Sequence, residues 1–509
     1  MSQEAAPAGN ARTTAASETE TRRSENLAIA RLVAVGVLLV IVTAVGLILP
    51  GSVFNHAEPA LDPLTVIFAN TLGRVVFGGS LVLLCLLFGL AVYLATRLSS
   101  SRARLLCLAM SLAITIAFML ISPSGAQDIY HNILDIRTLW VYGDNPMVTP
   151  PSTHSDDPLY PFVLAWQGSV SAYGPLFYLL GVPFSVAAGE DLLANVLAIK
   201  AMHAIGLMAL TWLAGISAER LSPGRGVVAV VAVGWNPFLQ WEAVTNAHND
   251  VLMMAFALAA LVLATRVFFS QSLIALGLAA MMKYSVAAIA PLILLWSWHR
   301  AAERDRLAVV SLIFAGAVAS VAVYLVFPDA IHELRHFLTT NRTWKSPIAV
   351  ITDTLSPALG AQAANDVAHY ICWGLVFAAL AVAWRCLNGS PRSLYQASFI
   401  TLAALSSLFR PEFFTWYFLW FIPIGAVLMG GWEWRLSYLA SCAGLLTYAV
   451  FPWSPDTPSV TLAYVTFALG APLLLLGAFE LGKRYYPPLK RSSARESATT
   501  TRPELLENS

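Results

Sequence analysis

A few residues in this chain have types and spacings that could do chemistry, and the first is Asp128. It opens the stretch QDIYHNILDIRTLWVYGDNP directly after an apolar run ending near residue 122. A helix there would hold a carboxylate at the boundary between hydrocarbon and water, where it can serve as a general base. Along 128–142, Ile129, Ile133, Ile136, Leu139 and Trp140 fall on one helical stripe, with Asp128, Asn132 and Asp135 on the other. That is the pattern of a helix lying in the interface plane. The simpler job for Asp128 is to cap this helix, which is compatible with a reactive one. Tyr130 and Arg137 share the segment, and Asp135 or Asp144 is the substitute candidate for base.

A second group lies in WNPFLQWEAVTNAHNDVLMM, where Glu242, Asn246, His248, Asn249 and Asp250 crowd the junction of two apolar runs. A plain connection needs only one or two turn residues, so five polar groups suggest the wall of a water-filled, sugar-sized cavity. Asn249 with Asp250 would otherwise cap the next helix, and His248 would otherwise be a structural histidine. Tyr173 precedes Gly174 and Pro175, which break the chain as it enters the apolar run PLFYLLGVPF. The plainer account of that break is a bent helix entry. Lys283 sits inside an apolar segment, where an ionisable group costs ~2.5–3.5 kcal/mol and normally pairs, faces a cavity or snorkels to an interface. Arg410 raises the same question at the end of a span, although Glu412 close behind it could neutralise it. An anionic phosphate would give both cations a reason to be there, joined by Arg342 or Lys345 of the loop NRTWKSP. His154, Asp156 and Asp157 have no diagnostic metal-ligand spacing, so no metal site is assigned. No cofactor is called for, and dependence on a divalent cation is left open.

The elements that must position these residues are membrane helices. Hydrophobic residues make up 58% of the 509 and charged residues 12%, with a mean hydropathy of +0.68. A soluble domain does not read this way, so the fold expected is all-α and polytopic. A net charge of +1 argues against nucleic acid as a partner. The five cysteines (Cys85, Cys107, Cys372, Cys386 and Cys442) form no CxxC pair and read as small packing residues.

Apolar runs of about 20 residues, the length needed to cross ~30 Å of hydrocarbon, place spans near 27–49, 72–96, 104–122, 192–217, 227–241, 249–267, 307–327, 368–387, 394–410, 413–431, 435–452 and 459–482. Segments 173–188 and 272–298 read as short or broken helices, the second interrupted at Lys283 and Pro291. The total is about 13–15 transmembrane or re-entrant helices. Residues 1–25 and 483–509 read as disordered cytoplasmic tails around a membrane domain at 26–482, and the first span lacks a signal-peptide pattern. Basic residues in short loops favour the cytoplasm. That rule puts an outer catalytic loop at 123–172 and a second outer loop at 328–367 on the far side, together with Asp128, the Asn246–Asp250 cluster and Arg410.

In QDIYHNILDIRTLWVYGDNPM, SAYGPLFYLL, WNPFLQWEAVTNAHNDVLMM, MKYSVAAIAPLIL and WYFLWFIP, spread over about residues 120–425, the chain resembles the GT-C membrane glycosyltransferases. Within that superfamily it is most similar to the polyprenol-phosphate-mannose-dependent mannosyltransferases of actinobacterial cell-envelope synthesis. The resemblance implies that the acidic residue of the first large outer loop, here Asp128, is the base. It also matches an outer-face Asn-His-Asn-Asp element to Asn246, His248, Asn249 and Asp250, and a Lys-Tyr pair to Lys283 and Tyr284. Mannose as the sugar is implied by the resemblance alone. One departure is that two spans precede the helix leading to Asp128, where many GT-C enzymes have one. Either this branch has an N-terminal addition or the base lies elsewhere.

The expected activity is therefore transfer of a sugar from a polyprenyl-phosphate donor to a hydroxyl of a cell-envelope glycan or glycolipid, with inversion. Arg410, with Lys283, Arg342 or Lys345, would grip the phosphate. Tyr130, Asp135, Asp144, Tyr173, Glu242, Asn246, His248, Asn249 and Asp250 would contact sugar or acceptor, and the WYFLW aromatics would border a lipid-facing entry. A secondary transporter or a flippase for a lipid-linked sugar would also place charges in a cavity, but would open it to both sides in turn. A structural assembly subunit would need no reactive carboxylate.

Overall fold

In lipid, backbone donors and acceptors must be paired within the segment that carries them, and helices do this without a partner chain. A computed structural model of the protein describes residues 9–59, 62–300, 344–452 and 457–485, with isolated positions between 306 and 310. Among the described residues there is no strand, only two isolated bridges, Ser52 with Ile121 and Trp344 with Glu412.

Among the described residues, six helices are long and apolar enough to cross a membrane: Arg22–Gly51, Thr71–Ala95, Ser101–Met119, Leu192–Leu221, Ala361–Cys386 and Pro458–Lys483. Their outward faces carry exposed apolar residues such as Leu72, Val75, Leu86, Ile205 and Phe377, suited to contact with lipid. The protein is an all-α polytopic membrane protein. The first helix is described over Gly9–Thr43. Nearly all of the span expected at 307–327 and all of the 328–343 stretch lie outside the described residues.

The interruptions position the site. Gly226–Gly234 and Pro237–Thr245 meet at a 47° bend. Pro237 has no backbone N–H, and the Asn236 side chain accepts from Phe238 N and Leu239 N in its place. The Gln240 amide donates to the Gly234 carbonyl at 2.6 Å, pairing a group that the bend frees. A π-turn over Trp241–Thr245 follows, then Ala247 at φ +55. A left-handed alanine costs of order 1–3 kcal/mol and tends to occur at functional sites. Here it lies between Asn246 and His248.

The break expected at Lys283 is present: Phe269–Met282 ends there, Lys283 is extended, and a 3₁₀ turn over Tyr284–Ile289 follows. Pro291 causes no break. It is the second residue of the helix Ala290–Arg300, where a missing N–H costs nothing. The helix Pro175–Ala188 starts as expected at Gly174 and packs against Leu192–Leu221 and Asp128–Trp140.

Gly174 allows a close approach of two breaks. Its N–H donates to Met282 O at 3.1 Å, and a Cβ built on it would lie 2.1 Å from Met281 O. Both neighbours are backbone and cannot rotate away. Gly174→Ala should therefore lose about 1–3 kcal/mol of stability and push the Tyr173 segment off Lys283. The check is a melting curve in detergent, and an unchanged midpoint would contradict the close approach.

Candidate active site at the polar end of the helices

Asp128 is the first residue of the helix Asp128–Trp140, whose N-cap is Gln127. It therefore does not cap its helix, and its side chain remains 24% exposed. The loop leading to it is tightly held. Buried Lys200 donates to Met119 O at 3.5 Å, the last carbonyl of the preceding helix, and to Ile121 O just beyond it. The Ser124 amide donates to Asn246 Oδ1 at 3.0 Å, and the Gly125 amide to Asp62 Oδ2 at 3.3 Å.

Several of the expected site residues gather around Asp128. His248 Nδ1 lies 3.5 Å from Asp128 Oδ2, and its Nε2 lies 3.4 Å from Glu242 Oε2. Asn246 Nδ2 donates to the same Glu242 oxygen at 3.3 Å. Asp250 Oδ1 accepts from Lys283 Nζ at 2.8 Å and from Trp420 Nε1. The Lys283 ammonium sits over the rings of Tyr173, Tyr417 and Trp420 at 5.2–5.6 Å, an aromatic box for a desolvated cation. On Tyr417 also lies Arg410, its Cζ 4.9 Å from the ring centroid. Asn249 occupies the N-cap position of the helix Asp250–Thr265 but makes no side-chain cap hydrogen bond, and its amide instead donates to Met282 O at 3.3 Å. His248 stacks on Trp416 with centroids 4.2 Å apart and planes at 18°.

These groups share one end of the bundle. The other ends of the same helices carry Arg97, Arg104, Arg220, Arg225, Arg266, Arg385, Arg392 and Arg435. Buried oxygens at the polar end, Asp250 Oδ2 and Asn249 Oδ1 among them, have no hydrogen-bond partner. Among the described residues no trio of His, Cys, Asp or Glu side chains is arranged to hold a metal ion.

Other expected residues lie elsewhere. The Tyr130 hydroxyl donates to Ala57 O at 2.8 Å. Asp144 is 49% exposed and pairs with His154 at 3.1 Å. Lys345 is buried, its Nζ 5.5 Å from the Tyr464 ring centroid, and Trp344 beside it pairs with the strand-like segment at Pro411–Phe413. Arg342 lies outside the described residues.

The helix Asp128–Trp140 buries its polar face as well as its apolar one, with Asn132, Asp135 and Arg137 all enclosed. The 144–169 segment folds over it: Arg137 donates to both oxygens of Asp157, and the His131 Nε2–Ser169 O contact is 3.3 Å. Side-chain periodicity shows which faces differ in polarity but not which loop covers the polar one.

Asp135 is buried and 3.1 Å from His131 Nδ1. Burial acts to lower the His131 pKa, yet the Asp135 carboxylate more than offsets it and the net direction is up. A raised folded-state value stabilises the fold fully below the ordinary His value of about 6.5, and that contribution fades as pH rises through the folded value. Asp135→Asn should therefore lower the melting midpoint most at acidic pH, with the gap to wild type narrowing as pH rises. Melting curves across pH test this, and a pH-independent gap would contradict the pairing.

The residues that composition and spacing did not single out are Lys200, Tyr448 and Ser124. Lys200 carries the same signal as Lys283, an ionisable group inside an apolar run. Tyr448 carries none, because a tyrosine in an aromatic-rich span is unremarkable until its hydroxyl is seen 2.9 Å from Glu242 Oε1.

Comparison with known proteins gives a consistent set of matches. The family model for the N-terminal domain of alpha-(1->6)-mannopyranosyltransferases matches residues 33–302, which include every residue of the cluster except those from Arg410 onward. Alpha-(1->6)-mannopyranosyltransferase A of Mycobacterium tuberculosis is 24% identical over 447 residues, 82% of this chain and 83% of that protein. A probable alpha-(1->6)-mannopyranosyltransferase of Mycolicibacterium smegmatis is 28% identical over 152 residues, 28% of this chain and 26% of that protein. Alpha-(1->6)-mannopyranosyltransferase A of Corynebacterium glutamicum is 22% identical over 187 residues, 37% of this chain and 38% of that protein.

Proposed function

Since this chain belongs to the alpha-(1->6)-mannopyranosyltransferase family, we propose that it transfers mannose from a polyprenyl-phosphate donor to a hydroxyl of a cell-envelope glycan or glycolipid, with Asp128 as base. The observation that carries this reading is the convergence of Asp128, His248, Asp250 and Lys283 with Arg410 around Tyr417 at one end of the helices. Asp128 is the partly open carboxylate of that group, whereas Asp250 and Glu242 are enclosed and already paired.

In the proposed step the acceptor hydroxyl loses its proton to Asp128 as its oxygen attacks the anomeric carbon. The bond from that carbon to the phosphate oxygen breaks, and the electron pair leaves with the polyprenyl phosphate. Attack opposite the leaving group inverts the anomeric centre. Charge developing on the phosphate is offset by Arg410, with Lys345 on the neighbouring paired segment and Lys283 behind Tyr417. Arg410, on the face of Tyr417, is the principal phosphate ligand in this reading.

Sidedness follows from charge. Arginines gather at the end opposite the cluster, and basic ends favour the cytoplasm, so the site faces outward and the chain termini inward. The test is a reconstituted assay: purified protein, a polyprenyl-phosphate mannose and an α-mannan acceptor. Consumption of the donor with acceptor elongation is expected, and no turnover with any of the common polyprenyl-linked sugars would overturn the proposal.

A further inference from the structure

Glu242 has no path to a substrate: it is completely buried behind His248. We infer that it acts instead as the positioning residue for Asp128, an inference that rests on the reading of Asp128 as base. A buried carboxylate needs partners, and Glu242 has three. The Tyr448 hydroxyl donates to its two oxygens at 2.9 and 3.1 Å. From Oε2 two arms then reach toward Asp128. The first is His248, whose ring spans the 3.4 Å contact to Glu242 and the 3.5 Å contact to Asp128. The second is Asn246, which donates to Glu242 at 3.3 Å and accepts from the Ser124 backbone amide, four residues before Asp128, at 3.0 Å.

One enclosed carboxylate thus orients both the imidazole beside the base and the backbone that delivers the base. Stacking on Trp416 limits how far the imidazole can turn. Neither imidazole nitrogen makes a well-aligned hydrogen bond at these distances, a looseness common in catalytic contacts before substrate binds. The strained Ala247 lies between the two arms and fixes their divergence. Misplacing a base by about 1 Å can cost about 100-fold in rate, so a residue that never touches substrate can still govern turnover.

The test uses full-length protein, polyprenyl-phosphate mannose and an α-mannan acceptor. Glu242→Gln keeps the shape and should lower kcat about 10- to 100-fold while the donor and acceptor KM values stay within about twofold. In the Asp128→Asn background the same change should cost nothing further, because a base that is gone cannot be misplaced. Tyr448→Phe should lower kcat in the same sense by a smaller factor. Wild-type kcat in Glu242→Gln, or a loss confined to KM, overturns the inference. If Glu242→Gln does not fold, Tyr448→Phe carries the test, and wild-type kcat there overturns it. Retained turnover in Asp128→Asn overturns the base reading and this inference with it. Lost turnover there beside a normal Glu242→Gln overturns this inference alone.

Discussion

Asp128→Asn should lower kcat for mannosyl transfer by about 100- to 10,000-fold, the range that a positioned general base supplies. The amide matches the carboxylate in shape but cannot take the acceptor proton. Folding should register the change only modestly, because Asp128 does not cap its helix and is partly open to solvent. The stability terms expected are the loss of a negative charge in the first helical turn, about 0.3–1 kcal/mol, and of the long 3.5 Å contact to His248. The pair of measurements that separates chemistry from folding is single-turnover transfer beside a melting curve in the same detergent. Lost transfer with a near-normal midpoint supports the assignment. Wild-type transfer would move the role of base elsewhere, although Asp135 is ill placed to inherit it, enclosed against His131 under the 144–169 segment.

The second large effect is on stability. Asp250 and Lys283 form an enclosed ion pair at 2.8 Å, and Asp250 also accepts from Trp420. Removing one partner of a buried pair leaves an uncompensated charge and typically costs ~3–5 kcal/mol. Asp250→Ala should therefore lower the melting midpoint sharply, as should Lys283→Met. The double variant should lose much less than the two losses added together, since it strands no charge. Additive losses would show that the two side chains are not coupled. Activity should fall in all three, because the pair joins the helix beginning at Asp250 to the break at Lys283 and the aromatic wall over it.

Much of this arrangement was legible in the residues. Apolar runs of spanning length located the long helices within a few residues, because a lipid-facing helix has little freedom in length or composition. The same economy exposed Lys283 and the Glu242–Asp250 cluster, since polar groups inside apolar runs need a reason. The partnerships were not legible. Lys283 reads as a phosphate ligand until it is seen bonded to Asp250, and Glu242 reads as a sugar ligand until it is seen enclosed behind His248. Tyr448 reaches Glu242 from 206 residues away, a contact that no local pattern encodes. Pro291 shows the converse limit: a proline signals a break, but its position in the helical turn decides whether one occurs.

The most direct measurement is a structure of the protein with a non-transferable polyprenyl-phosphate mannose analogue bound. The account predicts the phosphate against Arg410, with the anomeric carbon facing Asp128 across the space bordered by Tyr417 and His248. A headgroup seated at the arginine-rich end of the helices, or one bound with Asp128 remote from the sugar, would contradict it.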